Sequence, residues 1–77
     1  FMEEVNMAIT IKAPFPGTVQ TVSVKVGDKV ADFDPVLILE AMKMENEVLA
    51  EEGGIVKEIL VKQGEVVTAG QILLTLE

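Results

Sequence analysis

The chain contains no cysteine, histidine, tryptophan or tyrosine. Without cysteine there are no disulfides, thiolate metal sites or cysteine nucleophiles. Without histidine it lacks the side chain most often used as a general base near neutral pH, and the commonest metal ligand. No glycine-rich motif of the kind that cradles phosphate is present. Self-contained hydrolytic, zinc or phosphoryl-transfer chemistry therefore has no machinery here, and the chain is not expected to be an enzyme. Basic residues are also scarce, with 6 against 13 acidic ones for a net charge of −7, which argues against nucleic acid or an anionic membrane as partner. No apolar run approaches the ~20 residues of a membrane helix, and there is no signal-peptide pattern. We expect a soluble, cytoplasmic module with no direct membrane insertion. Phe1 in place of methionine is read as the start of a fragment or of the excised end of a longer polypeptide.

What is present is a repeat. Sliding the 77-residue chain against itself by 37 positions aligns residues 13–40 with residues 50–77 without a gap. Ten pairs are identical, among them Gly17/Gly54, Val19/Val56, Gly27/Gly64, Val30/Val67, Leu37/Leu74, Leu39/Leu76 and Glu40/Glu77. Glycines fall on glycines and branched apolar residues on branched apolar residues, so turns and core positions repeat together. A unit of this length cannot cover its own apolar face, and two copies are expected to bury those faces against each other as one pseudo-twofold domain. One domain also suits a chain near the lower limit for a self-sufficient core, where roughly 60% of the unfolded surface can be buried. We place the domain at residues 8–77, with residues 1–7 a linker or remnant.

Glycine and proline punctuate short β-branched runs, which indicates an all-β domain with tight turns. Pro16-Gly17, Gly27-Asp28, Gly53-Gly54, Gly64-Glu65 and Gly70 are read as places where the chain takes positive φ at little cost. Strands are expected at 8–12, 18–24, 29–30, 36–42, 44–50, 55–61, 66–67 and 72–76. Leu74 and Leu76 alternate with Thr75 and should face the core, as should Leu37 and Leu39 by the repeat. Val19 and Val22 are three apart, and so are Val56 and Ile59. Alternation that fails at the same place twice implies a bulge or a strand covered on both faces. Residues 37–52 are rich in helix formers and can be scored as an amphipathic helix. The repeat pairs 36–40 with the leucine-alternating 73–77, which favours a hairpin instead, although its tip lacks the Asn-Gly or Asp-Gly suited to a two-residue turn.

That tip is the chain's most informative stretch. Glu40-Ala41-Met42-Lys43-Met44-Glu45-Asn46 sets one lysine between two methionines, midway between the two halves. A lysine at a tight turn, where glycine or asparagine suits the backbone better, suggests selection for function. With Ala13-Pro14-Phe15-Pro16-Gly17 before it and Gly53-Gly54 after it, the stretch resembles the biotinyl domain of biotin-dependent carboxylases and decarboxylases. The resemblance runs from about Ile9 to Glu77, and the 34 residues from Lys43 to the end fit the usual C-terminal placement of that domain. It implies a flattened β-barrel, or sandwich, of two four-stranded antiparallel sheets, the biotinyl/lipoyl hammerhead. Some carriers of this kind add a "thumb" in the first half. The ungapped repeat leads us to expect none here. The resemblance also implies that Lys43 is biotinylated by a biotin protein ligase, that Met42 and Met44 are the matching flanks, and that Glu40 aids ligase recognition. Its cofactor is covalent biotin, whose arm shuttles carboxylate between the biotin carboxylase and carboxyltransferase sites of a larger complex. The isolated domain is expected to be a monomer.

Each residue has a plainer reading. Met42 and Met44 can be core filling, Glu40 has a repeat mate in Glu77 where no lysine follows, and Lys43 can be an ordinary surface lysine. Glu45, Glu47, Glu51 and Glu52 read as a solvated acidic face. Among other classes, a lipoyl domain shares the two-repeat plan but tends to carry Asp-Lys-Ala at its lysine. An unmodified hammerhead of the kind found in periplasmic adaptors needs no lysine at the tip.

Overall fold

The structure is a computed structural model that describes residues 9–77. The assignment of residues 1–7, and the expected strand start at Ala8, lie outside the described residues. The eight strands are β1 (Ile9–Lys12), β2 (Gly17–Val22), β3 (Lys29–Val30), β4 (Pro35–Ala41), β5 (Met44–Leu49), β6 (Gly54–Ile59), β7 (Val66–Val67) and β8 (Ile72–Leu76). They form two four-stranded antiparallel sheets, ordered β1-β8-β6-β3 and β5-β4-β2-β7. There is no helix among the described residues, so the helical propensity of 37–52 is overridden by strand pairing. No thumb interrupts the first half. β2 and β6 stop two residues short of expectation at the same repeat position. There Asp28 and Glu65 draw the chain into turns by accepting hydrogen bonds from the backbone N–H of Lys25 (2.9 Å) and Lys62 (3.2 Å).

The pseudo-twofold extends to individual pairings. Leu37 opposite Val48 is matched by Leu74 opposite Ile11, and Leu39 opposite Asn46 by Leu76 opposite Ile9. The β4–β5 hairpin is thus mirrored by the pairing of β8 with β1. Where the first closes through Met42 and Lys43, the second opens onto the chain ends. The doubled Val-x-x-Val/Ile spacing is explained by matching register shifts at Gln20, between Val19 and Thr21, and at Lys57, between Val56 and Glu58. A second matched pair of shifts skips Val36 in the β4–β5 ladder and Leu73 in the β1–β8 ladder. Simple alternation placed only Leu37, Leu39, Leu74 and Leu76 inside. The extra residue turns Val36 and Leu73 inward as well, and all six are fully buried. With Val19, Val56 and Val67 they form a core between the sheets that contains no polar or charged residue among those described.

The glycines divide into two kinds, which corrects the expectation that all of them supply positive φ. Gly27, Gly64 and Gly70 do so (φ 96°, 91° and 84°). Gly17, Gly53 and Gly54 do not, and are needed because backbone comes too close for a side chain. A Cβ on Gly17 would lie 2.7 Å from the carbonyl oxygen of Glu40, and one on Gly54 3.0 Å from that of Glu77. A Cβ on Gly53 would overlap the carbonyl oxygen of Val30.

Candidate functional site

The β4–β5 ladder runs without a break from Leu37 opposite Val48 to Ala41 opposite Met44, leaving Met42 and Lys43 as the entire connection. Both have positive φ, 54° and 64°. Positive φ at both central residues identifies a type I′ turn, whose twist matches that of the flanking strands and which normally takes Asn-Gly. Here two long side chains occupy it, each at a cost on the order of 1–2 kcal/mol relative to ordinary backbone. All six lysines are exposed, so exposure alone singles out none of them. Lys43 alone among them has a left-handed backbone.

The methionines are not core filling. Met42 is 93% exposed and Met44 63%, so the tip presents an apolar flank on each side of the lysine. Glu40 is exposed, paired with Thr18 of β2 on one side and Glu45 of β5 on the other. Directly opposed residues share a face, and like charges there disfavour the pairing slightly. Gln20, the bulged residue of β2, offsets this by donating from Nε2 to Oε2 of Glu45 at 2.8 Å, across the width of β4. Asn46 donates from its amide to the carbonyl of Met44 at 3.2 Å, at the start of β5. The structure thus gathers all four expected site residues, Glu40, Met42, Lys43 and Met44, at one end of one sheet. Sequence reasoning missed Gln20, whose only signal was that it sits inside the broken alternation. The four acidic residues Glu45, Glu47, Glu51 and Glu52 are exposed, as expected of a solvated face.

An acid joined through its carboxyl to the amine of Lys43 fits this geometry. Met42, Lys43 and Met44 are all exposed, and the connection consists of two residues that the ladder holds in place. Two four-stranded sheets related by an internal repeat, with a lysine on the two-residue turn of one hairpin, define a domain of the biotinyl/lipoyl class.

Within that class, the chain belongs to the biotin/lipoyl family described as "Biotin-requiring enzyme", which matches residues 9–76. It is 51% identical over 71 residues to the biotin carboxyl carrier protein of Streptococcus mutans, an alignment covering 92% of this chain and 55% of that protein. Its fold superposes on the urea carboxylase of Kluyveromyces lactis with a TM-score of 0.88 at 34% identity, covering 99% of this chain and 7% of the enzyme. The lipoyl domain of the 2-oxoglutarate dehydrogenase complex of Azotobacter vinelandii superposes with a TM-score of 0.75 at 37% identity, covering 90% of this chain and 95% of that domain. The chain therefore spans about half of the carrier protein and a small part of the multi-domain enzyme.

Proposed function

We propose that this chain is a biotin carboxyl carrier module, non-catalytic in itself, in which Lys43 is biotinylated by a biotin protein ligase. The observation that carries this reading is the type I′ turn that presents Lys43 between two exposed methionines in a left-handed backbone such residues rarely adopt. Stability does not account for that choice, because Asn-Gly would suit the turn better. Residues held in sparsely populated conformations cluster at functional sites. The 51% identity to a protein of that name supports the same reading.

In this reading Met42 and Met44 are adaptable apolar contacts for the ligase and then for successive active sites. Glu40, exposed beside the turn of the hairpin, is a polar contact for the ligase. Biotin, when bound, supplies a ureido nitrogen on which carboxylate is carried. The protein contributes reach and restraint. The lysine stem and the valeryl chain make an arm on the order of 15 Å, from about ten bonds of ~1.5 Å with zigzag projection. Travel beyond that length requires the whole domain to move, at an effective concentration set by its tether. The partners are a biotin carboxylase and a carboxyltransferase, as subunits or domains of one complex. We propose that the isolated domain is monomeric and works in the cytoplasm.

The test is intact mass and peptide mapping after incubation with biotin ligase, biotin and ATP, and in parallel with a lipoyl ligase and lipoate. One biotin adduct on Lys43, absent from Lys43→Arg, is the expected result. A folded domain that takes lipoate and refuses biotin would overturn the proposal in favour of an acyl carrier.

A further inference from the structure

The repeat shows where the two halves differ, and one difference has no structural use. The turns at residues 31–34 and 68–71 are built alike. Asp34 N donates to Ala31 O, and Gln71 N to Thr68 O, both at 3.1 Å. The side chains of Asp34 and Gln71 each accept from the first residue of their own turn at 3.0 Å. The third position has positive φ in both, 84° at Gly70 and 66° at its mate Phe33. Glycine suits that position, and a bulky residue there is an outlier. Phe33 is nevertheless 66% exposed, so its ring returns little burial for the strain.

The backbone that carries the ring is tied to the chain after β5. Phe33 N donates to Ala50 O, Ala50 N donates to Asp34 O at 2.9 Å, and Asp32 Oδ1 accepts from Gly53 N at 2.7 Å. Phe33 borders a groove of about 860 Å³ between the outer edges of β1 and β5, whose walls include Ile11 and the 43%-exposed Leu49. Glu47, Glu51 and Glu52 line the same groove, Asp32 and Asp34 flank the ring in sequence, and Lys12 is the one lysine in the lining. An exposed aromatic within a predominantly acidic surround is complementary to an apolar pocket bordered by lysine and arginine.

We propose that Phe33 and this acidic groove form a second docking surface, by which the domain is anchored to a basic, apolar-pocketed face of a protein partner while Lys43 stays free. Phe33 precedes β4 and Lys43 follows it. The seven residues of β4, at ~3.3 Å each, separate them by about 23 Å. An anchor at that distance leaves the modified hairpin able to enter an active site. The proposal rests on the carrier reading for the identity of the partner, one component of the carboxylase assembly.

The test is calorimetric titration of the biotinylated domain into the purified biotin carboxylase and carboxyltransferase components, each at low and at high salt. Phe33→Gly installs the residue found at Gly70, and Phe33→Asn is a second variant that tolerates left-handed backbone. Both are expected to bind one component about tenfold more weakly or worse, with a thermal midpoint no lower than that of the parent. Parental binding to that component is expected to weaken as salt rises. Equal affinity of the parent and both Phe33 variants would overturn the proposal, as would no binding of the parent to either component. Concentration-dependent self-association lost in the Phe33 variants would also overturn it, by making a second copy the occupant. Failure of the carrier reading is distinguishable, because it appears as a missing biotin adduct on Lys43.

Discussion

At the scale of single residues, the proposed functional positions are those where side chain and backbone disagree. Met42, Lys43 and Phe33 are the non-glycine residues with positive φ among those described, and all three are exposed. Replacing Met42 by asparagine should relieve the turn, raising unfolding free energy by on the order of 1 kcal/mol. The same change removes a methionine contact, so ligase kcat/KM is expected to fall. A denaturant midpoint and a steady-state biotinylation assay measure the two effects together. If stability and ligase turnover rose together, the recognition role of Met42 would be wrong. Lys43→Arg keeps the charge and the stem but removes the acylatable amine, so it should fold as the parent does and take no adduct, as intact mass would show. The candidacy of Lys43 was legible from its neighbours and its place between the repeats. Its backbone conformation was not, because φ at a turn is imposed by the register of the strands on either side.

At the scale of elements, close packing of backbone beside the turn of the hairpin holds the candidate site in position. Gly17 begins β2 where the carbonyl of Glu40 leaves no space for a Cβ, and Gly54 holds the equivalent place against Glu77. Alanine at either position should cost roughly 1–3 kcal/mol, as overpacking does. Only Gly17→Ala pushes on β4 beside the Lys43 turn, so only it is expected to slow biotinylation of the folded domain, while Gly54→Ala should leave that rate near the parental value. Chemical denaturation and a ligase time course on each variant separate the two predictions. The sequence marked both glycines as turn formers, which was the wrong cause. Glycine is read from sequence as conformational freedom, whereas close approach of a distant strand depends on pairing that sequence separation hides. The bulges were legible for the opposite reason, since a residue inserted into a ladder displaces the apolar pattern within its own strand.

At the scale of the whole molecule, the domain is two copies of one unit sharing a core, and its energetics should carry that symmetry. Leu37 and Leu74 are both fully buried, and each lies opposite a buried β-branched residue, Val48 and Ile11. Truncation of either to alanine is expected to cost about 2–5 kcal/mol, a large share of the ~5–15 kcal/mol that holds a domain together. The two losses should be similar, as urea unfolding would test. Leu37→Ala disturbs the hairpin strand itself and is expected to lower biotin acceptance of the folded fraction more than Leu74→Ala does.

The sequence by itself determined the all-β class, the twofold repeat, the leucine positions and the lysine, because each is carried by local spacing or by comparison of one half with the other. Tertiary structure alone decided the inward turn of Val36 and Leu73, the tie from Gln20 to Glu45 across β4, the close approach behind Gly17, and the outward presentation of Phe33. Each of these depends on which strands become neighbours and in what register. Register follows from burying both apolar faces at once, a condition that no single stretch of the chain contains.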